Sequence, residues 1–496
     1  MAAKPGRSDK VLSSIFMSTG LTGLSVIVDL VIMAIISRLI PPSEFGVLAA
    51  AMFLLAVCNL LREGGIGSAL IQFKTLEPRL IQAGFTLAMG WSILLFVVIQ
   101  ITAPWYASFI RIPQLGDVLR VLSLIFPIQA FSLIGQALLQ RRLKSPLAAT
   151  CELAARAFSY LVIGVTLAYS GWGYWALVAA WIGEACILSV LMVVIARPPL
   201  LPVFDLATFR LLTSRTSGFA ASKIITFVAL RADDVIVGRY LDAASLGLYV
   251  RAYKLMSQPA NLYTTVADRV VFPAFSQLQE DLPRLRAAFL RGTNLTAMVG
   301  IPLSVLFYVV APELIGLLLG KDWSGVIPVF SVLAVATYFR IGARVSASLL
   351  KATASFRQMI ASQVFYAFLT IGLSLFAVQY GLVAVGIAIG CAVIAWFCMV
   401  SLMACSVLGI GVGEFLKAHG QGLALAILSG GGSQLIAQAA RAEGLPQILI
   451  LFLIGSFIGC FLLALFFFKP RIIIGTSGLW IIEQIQDKAL RAVRKR

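Results

Sequence analysis

Charge is the scarcest commodity in this chain. Of 496 residues only 12% are Asp, Glu, Lys or Arg, about half of what a soluble globular chain carries. Histidine is almost missing, with His419 as its single example. The seven cysteines (Cys58, Cys151, Cys186, Cys391, Cys398, Cys405 and Cys460) form no CxxC and all lie in apolar stretches. Without histidine or paired thiols, a Cys/His zinc site has no ligands, so no metal site is expected. The repeat of Cys391, Cys398 and Cys405 every seven residues reads as small apolar packing on one helix face. Catalytic signatures are missing too. There is no GxSxG, no Walker A and no HExxH, and GGIG at 64–67 and SGGGS at 429–433 lack the strand–loop–helix setting of a phosphate cradle. Close helix packing is the expectation for both glycine runs.

What remains is hydrophobic. Apolar residues make up 60% of the chain, and its mean hydropathy is +0.97. At about 20 residues per spanning helix, this supply is enough for roughly 12 to 15 spans. A cytosolic enzyme, a secreted disulfide scaffold and a nucleic-acid-binding domain are excluded. The net charge of +18 and pI of 9.9 therefore belong to loops on the cytoplasmic side and not to a nucleic-acid surface.

Hydropathy places about fourteen spans, near 12–36, 45–61, 80–103, 118–139, 147–169, 174–196, 216–237, 246–272, 292–318, 326–350, 358–379, 382–406, 418–438 and 446–468. The first is too long for a signal-peptide core and no clear small-residue cleavage site follows it, so it reads as a transmembrane helix. Basic residues accumulate before span 1 and in every second gap thereafter: Lys4, Arg7 and Lys10, then Lys74/Arg79, Arg141/Arg142/Lys144, Arg197/Arg210/Arg215, Arg284/Arg286/Arg291 and Lys351/Arg357. The other gaps hold mostly single cations, Arg38 and Arg239 among them. Both termini are expected in the cytoplasm. Segments 203–215 and 477–496 are amphipathic and expected to lie on the cytoplasmic leaflet, against anionic membrane lipids.

The chain also repeats. ISRLIPPSEFGVL at 36–48 aligns with VGRYLDAASLGLY at 237–249, an offset of 201 that pairs Arg38 with Arg239 and Gly46 with Gly247. APWYASF at 103–109 meets APELIGL at 311–317 at an offset of 208, and LLQ at 138–140 meets LLK at 349–351 at 211. Six spans per copy, an even number, give both copies the same orientation. The expected fold is an all-α polytopic membrane protein of about 14 transmembrane helices, with two parallel six-helix repeats forming lobes around a central cleft. The boundaries expected are an N-lobe at 1–196, an amphipathic linker at 197–215, a C-lobe at 216–406, two additional helices at 407–468 and a basic tail at 469–496.

Ionisable residues inside spans are costly and face cavities or each other. Arg340 and Arg344 stand four residues apart on one helix face, in a span without an acid, and call for an anion. Arg251 and Lys254, without a nearby acid in their span, extend that set, and Arg156 joins it. Asp29, Asp233, Asp234 and Arg231 are candidates for coupling or gating, together with Arg38 and Arg239 at the repeated turns. Competing structural expectations are an internal i,i+4 ion pair for Glu152/Arg156, solvation at an outer helix end for Asp233 and Asp234, and an interfacial position for Asp268/Arg269. Pro127, Pro259, Pro273, Pro302 and Pro328 are expected to shape helices.

SRLIPPSEFGVLAA followed by LREGGIGSALIQFK at 61–74, and later DDVIVGRYLDAASLGLYVRAYKL at 233–255, resemble bacterial polysaccharide-export flippases. These are the Wzx-like transporters of the multidrug/oligosaccharidyl-lipid/polysaccharide superfamily. The resemblance spans essentially the whole chain. It implies a cargo of a sugar repeat unit on a polyprenyl diphosphate, moved by alternating access from the cytoplasmic to the periplasmic leaflet of the inner membrane. The cations of spans eight and ten would meet the diphosphate. It implies no enzyme activity and no cofactor beyond a coupling ion, H+ or Na+, with a glycan polymerase and glycosyltransferases as partners. A cation-coupled multidrug antiporter would prefer acidic cavity residues; a membrane glycan polymerase or ligase would need a large outer loop. In a cysteine-free background, a cysteine replacing Lys144 should react with an impermeant maleimide only after the membrane is opened, and one replacing Asp242 should react in intact cells. The reverse pattern would overturn this topology.

Overall fold

The computed structural model describes residues 7–63, 66–73, 76–205, 208–210, 227 and 231–468. Most of segment 203–215 and of the span expected at 216–237, and all of the tail at 469–496, lie outside the described residues, as do the side chains of Asp268 and Arg269. The described residues are almost entirely helical: α1 (Arg7–Leu39), α2 (Pro42–Glu63), α3 (Ile66–Gln72), α4 (Pro78–Ile110), α5 (Leu115–Leu122), α6 (Ile125–Arg141), α7 (Ser145–Phe158), α8 (Val165–Tyr169) and α9 (Tyr174–Ala196). They continue with α10 (the described stretch 231–240), α11 (Ala243–Val266), α12 (Phe272–Gln277), α13 (Leu282–Val309), α14 (Ala311–Leu318), α15 (Val326–Ala352), α16 (Phe356–Ala377), α17 (Leu382–Leu408), α18 (Val412–Lys417), α19 (Gly420–Ala442) and α20 (Gln447–Phe468).

Twelve helices among the described residues are long and apolar enough to cross a membrane. Two of the fourteen expected spans are not among them. One is the span at 216–237. The other is α11, whose 24 residues suffice in length but carry Arg251, Lys254, Ser257, Gln258 and Asn261. The cytoplasmic loop expected at 280–291 is instead mostly helix. Asp281 accepts a hydrogen bond from the Arg284 amide at 3.1 Å and Pro283 occupies the first turn, so α13 starts at Leu282.

The prolines divide by position. Pro259 and Pro302 lie inside α11 and α13. Pro127, Pro273 and Pro328 fall in the first turns of α6, α12 and α15, where the missing N–H has no intrahelical acceptor to lose.

The chain forms two compact units, Met1–Leu248 with Leu318–Asp322, and Tyr249–Leu317 with Trp323–Arg496. In the first, α3, α4, α6, α7 and α9 share a core that includes Leu70, Phe85, Ile134, Leu139 and Met192. Arg141 turns back from the end of α6 to donate to the carbonyls of Leu70, at 2.9 Å, and Phe73. It thereby closes the C-terminus of α3, whose last carbonyls have no partner within that helix. In the second unit α15 is the hub, most of its residues buried as it packs against α13 and α17.

The run SGGGS works as a packing device. A methyl group on Gly430 would lie 2.4 Å from a Val305 methyl, and one on Gly432 would lie 2.3 Å from the Phe457 ring. These glycines let α19 approach α13 and α20 closely. An ion pair ties α19 to α14. Arg441 on α19 donates to both Glu313 carboxylate oxygens, at 2.7 and 2.8 Å, and to the Val309 carbonyl.

Glu313 is only 3% exposed, so deleting its partner strands a buried carboxylate, a loss of about 3 kcal/mol or more. Arg441→Ala should lower the thermal unfolding temperature of the detergent-purified protein, and adding Glu313→Gln should recover part of the loss. A double variant no more stable than Arg441→Ala would remove this pair from the packing account.

Candidate functional site

Several cations of the second unit sit on aromatic faces. Arg340 on α15 is 8% exposed, and its guanidinium carbon lies 5.0 Å from the Tyr253 ring centroid. One turn on, Arg344 lies 5.8 Å from the Trp396 ring on α17. Arg251 on α11 is buried 5.4 Å from the Trp323 ring. Lys351 follows the pattern, 4.6 Å from the Phe272 ring. Lys254 is half-buried on α11, one turn beyond Arg251.

An aromatic face offsets part of the desolvation of a guanidinium without neutralising it. A guanidinium is also a directional donor whose geometry suits phosphate oxygens. The rings were not legible in the sequence. Trp396 is 52 residues from Arg344 and Trp323 is 72 from Arg251, so only the fold brings them together.

In the first unit Arg156 meets acids. Arg156 on α7 donates to Glu184 on α9 at 3.1 Å and to Asp29 on α1 at 3.4 Å. The internal pair with Glu152 does not form. The Glu152 carboxylate accepts instead from the Gln136 amide at 3.1 Å, because the Arg156 side chain is drawn to the two acids of neighbouring helices. Asp29 is half-buried within this network. One arginine and three carboxylates thus share this part of the unit.

The solvated outer position expected for the acid pair is also corrected. Asp233 is 1% and Asp234 7% exposed, because the helix 231–240 turns both side chains into the protein. Arg231, one turn away, donates to Asp234 at 3.0 Å, and Asp234 faces a small space lined by Phe53, Tyr106 and Leu246.

The repeated turns touch within the first unit. A methyl group on Gly46 would overlap the Ala243 carbonyl at 1.6 Å, and one on Gly247 would meet the Pro42 carbonyl at 2.2 Å. The contact is reciprocal at the aligned offset of 201: 42 pairs with 243 and 46 with 247. Asp242 accepts from the Ser245 amide at 2.6 Å and so caps α11. Arg239 lies 5.4 Å from the Phe109 ring and 5.9 Å from that of Tyr240. Arg38 is exposed, its Cγ 3.5 Å from the place a methyl would take on Gly320.

A profile described as "Polysaccharide biosynthesis protein" matches residues 35–328, more than half of the chain. The succinoglycan biosynthesis transport protein ExoT of Rhizobium meliloti is 26% identical over 324 residues, which are 65% of this chain and 64% of ExoT. The chain thus spans less than two thirds of that relative. The lipopolysaccharide biosynthesis protein WzxC of Escherichia coli is 24% identical over 73% of this chain and 74% of its own. Teichuronic acid biosynthesis protein TuaB of Bacillus subtilis is 25% identical over 76% and 78%. Among solved structures, the fold is similar to lipid II flippase MurJ in its inward closed conformation (TM-score 0.67, 16% identity, 90% of this chain and all of that one). It is also similar to an inward-facing multidrug resistance MATE family transporter of the MOP superfamily (TM-score 0.61, 15% identity, 78% and 94%). The chain is a multi-pass membrane protein of this architecture.

Cysteines replacing Glu44 and Ser245, equivalent positions in the two turns, should crosslink under oxidation, since the turns already meet backbone to backbone. Adding Gly46→Val should cut the crosslinking yield several-fold, because a branched side chain has no space there. Equal yields with glycine and valine would show that the close approach is not populated.

Proposed function

The chain belongs to the polysaccharide biosynthesis protein family, and from that premise we propose that it moves polyprenyl-diphosphate-linked oligosaccharide repeat units across the bacterial inner membrane by alternating access. The observation that carries this reading is Arg340 and Arg344, one turn apart within a membrane-crossing helix, each with one guanidinium face on an aromatic ring. A diphosphate with a polar oligosaccharide cannot enter roughly 30 Å of hydrocarbon unaided, while its polyprenyl tail can remain in lipid. Arg251 and Lys254 add charge on α11, and Arg156 joins the set from the first unit. The six-helix lobes proposed are 1–196 and 216–406, with both termini cytoplasmic.

In this reading the chain is a carrier and not an enzyme. It receives cargo from glycosyltransferases and delivers it to a glycan polymerase on the periplasmic side. Asp29, Asp233, Asp234 and Arg231 are the candidates for coupling to H+ or Na+, and Arg38 and Arg239 flank the turns that close the outside. A multidrug antiporter is favoured by one observation, the surplus of carboxylates around Arg156. The ring-capped cations of the second unit favour an anionic cargo.

Arg340→Ala and Arg344→Ala should each lower polymer export by about tenfold at unchanged protein level, the size expected when a charge-assisted hydrogen bond to phosphate is lost. Lysine at either position should restore export in part, since a phosphate can use the charge without the bidentate fork. Normal polymer in the double alanine variant, with increased sensitivity to cationic drugs, would favour the antiporter and remove these arginines from the site.

A further inference from the structure

Along α4 the exposed residues change character toward the C-terminus. From Trp91 to Ile101 every one of them is apolar, and Leu94, Val97, Ile101 and Trp105 follow one another at helical spacing on one face. Such a face, on a helix long and apolar enough to cross a membrane, meets lipid chains and not water. Trp105 is 80% exposed and stands where tryptophan collects, at the boundary between chains and head groups.

The same face then opens into a groove. Pro104 and Ser108, three and seven residues beyond Ile101, continue it and line a cavity of about 520 Å³, within the range of small-molecule sites. Arg111 lines it from the corner after α4, and Asp117 and Arg120 line it from α5. All three charged residues are exposed. The short helix presents the last two because Leu115, Val118, Leu119 and Leu122 take up its buried face. Gln100 fixes this wall to α4, donating to the Arg120 carbonyl at 2.9 Å and to the Ser123 hydroxyl at 3.0 Å.

The charges do not cancel. Asp117 lies 3.7 Å from the Arg120 guanidinium, and two arginines against one carboxylate leave one positive charge in the groove. The Ser108 hydroxyl already donates to the Pro104 carbonyl at 2.8 Å, so the side-chain donors for a ligand are the two guanidinium groups. A fitting occupant brings one net negative charge, oxygen acceptors and hydrocarbon that continues along the face below. A free anion lacks the chains, and a zwitterionic head group adds an ammonium that the surplus charge repels. We propose that the groove binds the head group of an anionic glycerophospholipid, its phosphodiester held by the arginines that line the groove and an acyl chain lying along Ile101, Val97 and Leu94. Charge attraction and buried chain then act on one molecule. The site belongs to the first unit and does not depend on the cargo assigned to the arginines of the second.

The test uses the full chain in lipid nanodiscs with phosphatidylglycerol carrying a photoactivatable diazirine at the head end of one acyl chain, beside phosphatidylethanolamine with the same chain. Phosphatidylglycerol should label residues 101–120 about fivefold more, the upper end for an exposed charge pair. Arg111→Gln and Arg120→Gln each leave the groove without net charge. Each should bring the two lipids to near equality, with gel-filtration behaviour unchanged because both side chains are exposed. Arg357→Gln, which removes an exposed cation of the second unit, should keep the preference. Equal labelling by both lipids in the unaltered protein would overturn the proposal, as would a preference that survives both glutamines together. Loss of the preference in Arg357→Gln would assign it to overall charge and overturn the site. Displacement of the label by glycerol phosphate in solution would do the same, by showing a site for free phosphate.

Discussion

A charge placed in a helix that crosses hydrocarbon must find compensation inside the protein, and this constraint organises the molecule. The chain meets it in two ways. Around Arg156 it supplies carboxylates from other helices. Around Arg251, Arg340, Arg344 and Lys351 it supplies aromatic faces. A carboxylate neutralises a guanidinium and leaves little for an outside anion. A ring stabilises the cation without neutralising it. The Glu313–Arg441 pair, with two hydrogen bonds and a buried carboxylate, is of the neutralised kind.

Close backbone approach is the second theme. Gly430 and Gly432 bring α19 against its neighbours for good, since both replace side chains that α13 and α20 would otherwise displace. Gly46 and Gly247 are placed at helix starts, where the contact is confined to one turn of backbone. Such a contact buries little apolar area.

Helices were legible because hydropathy reports them directly. Spans such as 174–196 and 382–406 reappear as α9 and α17 almost residue for residue. The start of α13 was missed because its first turns, LPRLRAAFLR, are amphipathic and basic, and a hydropathy window reads them as loop. Candidate charges were legible one by one, since any Arg or Asp in an apolar run stands out. Their partners were not. The i,i+4 spacing of Glu152 and Arg156 promised a pair that two acids on α1 and α9 prevent. Burial of Asp233 and Asp234 depends on which way the helix 231–240 faces, and two adjacent acids carry no such information.

The ion pair between Glu313 and Arg441 also imposes an order on how the protein is made. The two residues are 128 positions apart, so Glu313 leaves the ribosome well before its partner exists. During that interval α14 lacks the contact that holds it in the finished fold, and the arrival of α19 supplies two hydrogen bonds and a buried ion pair at once. The C-terminal pair of helices thus completes the placement of a helix made long before it.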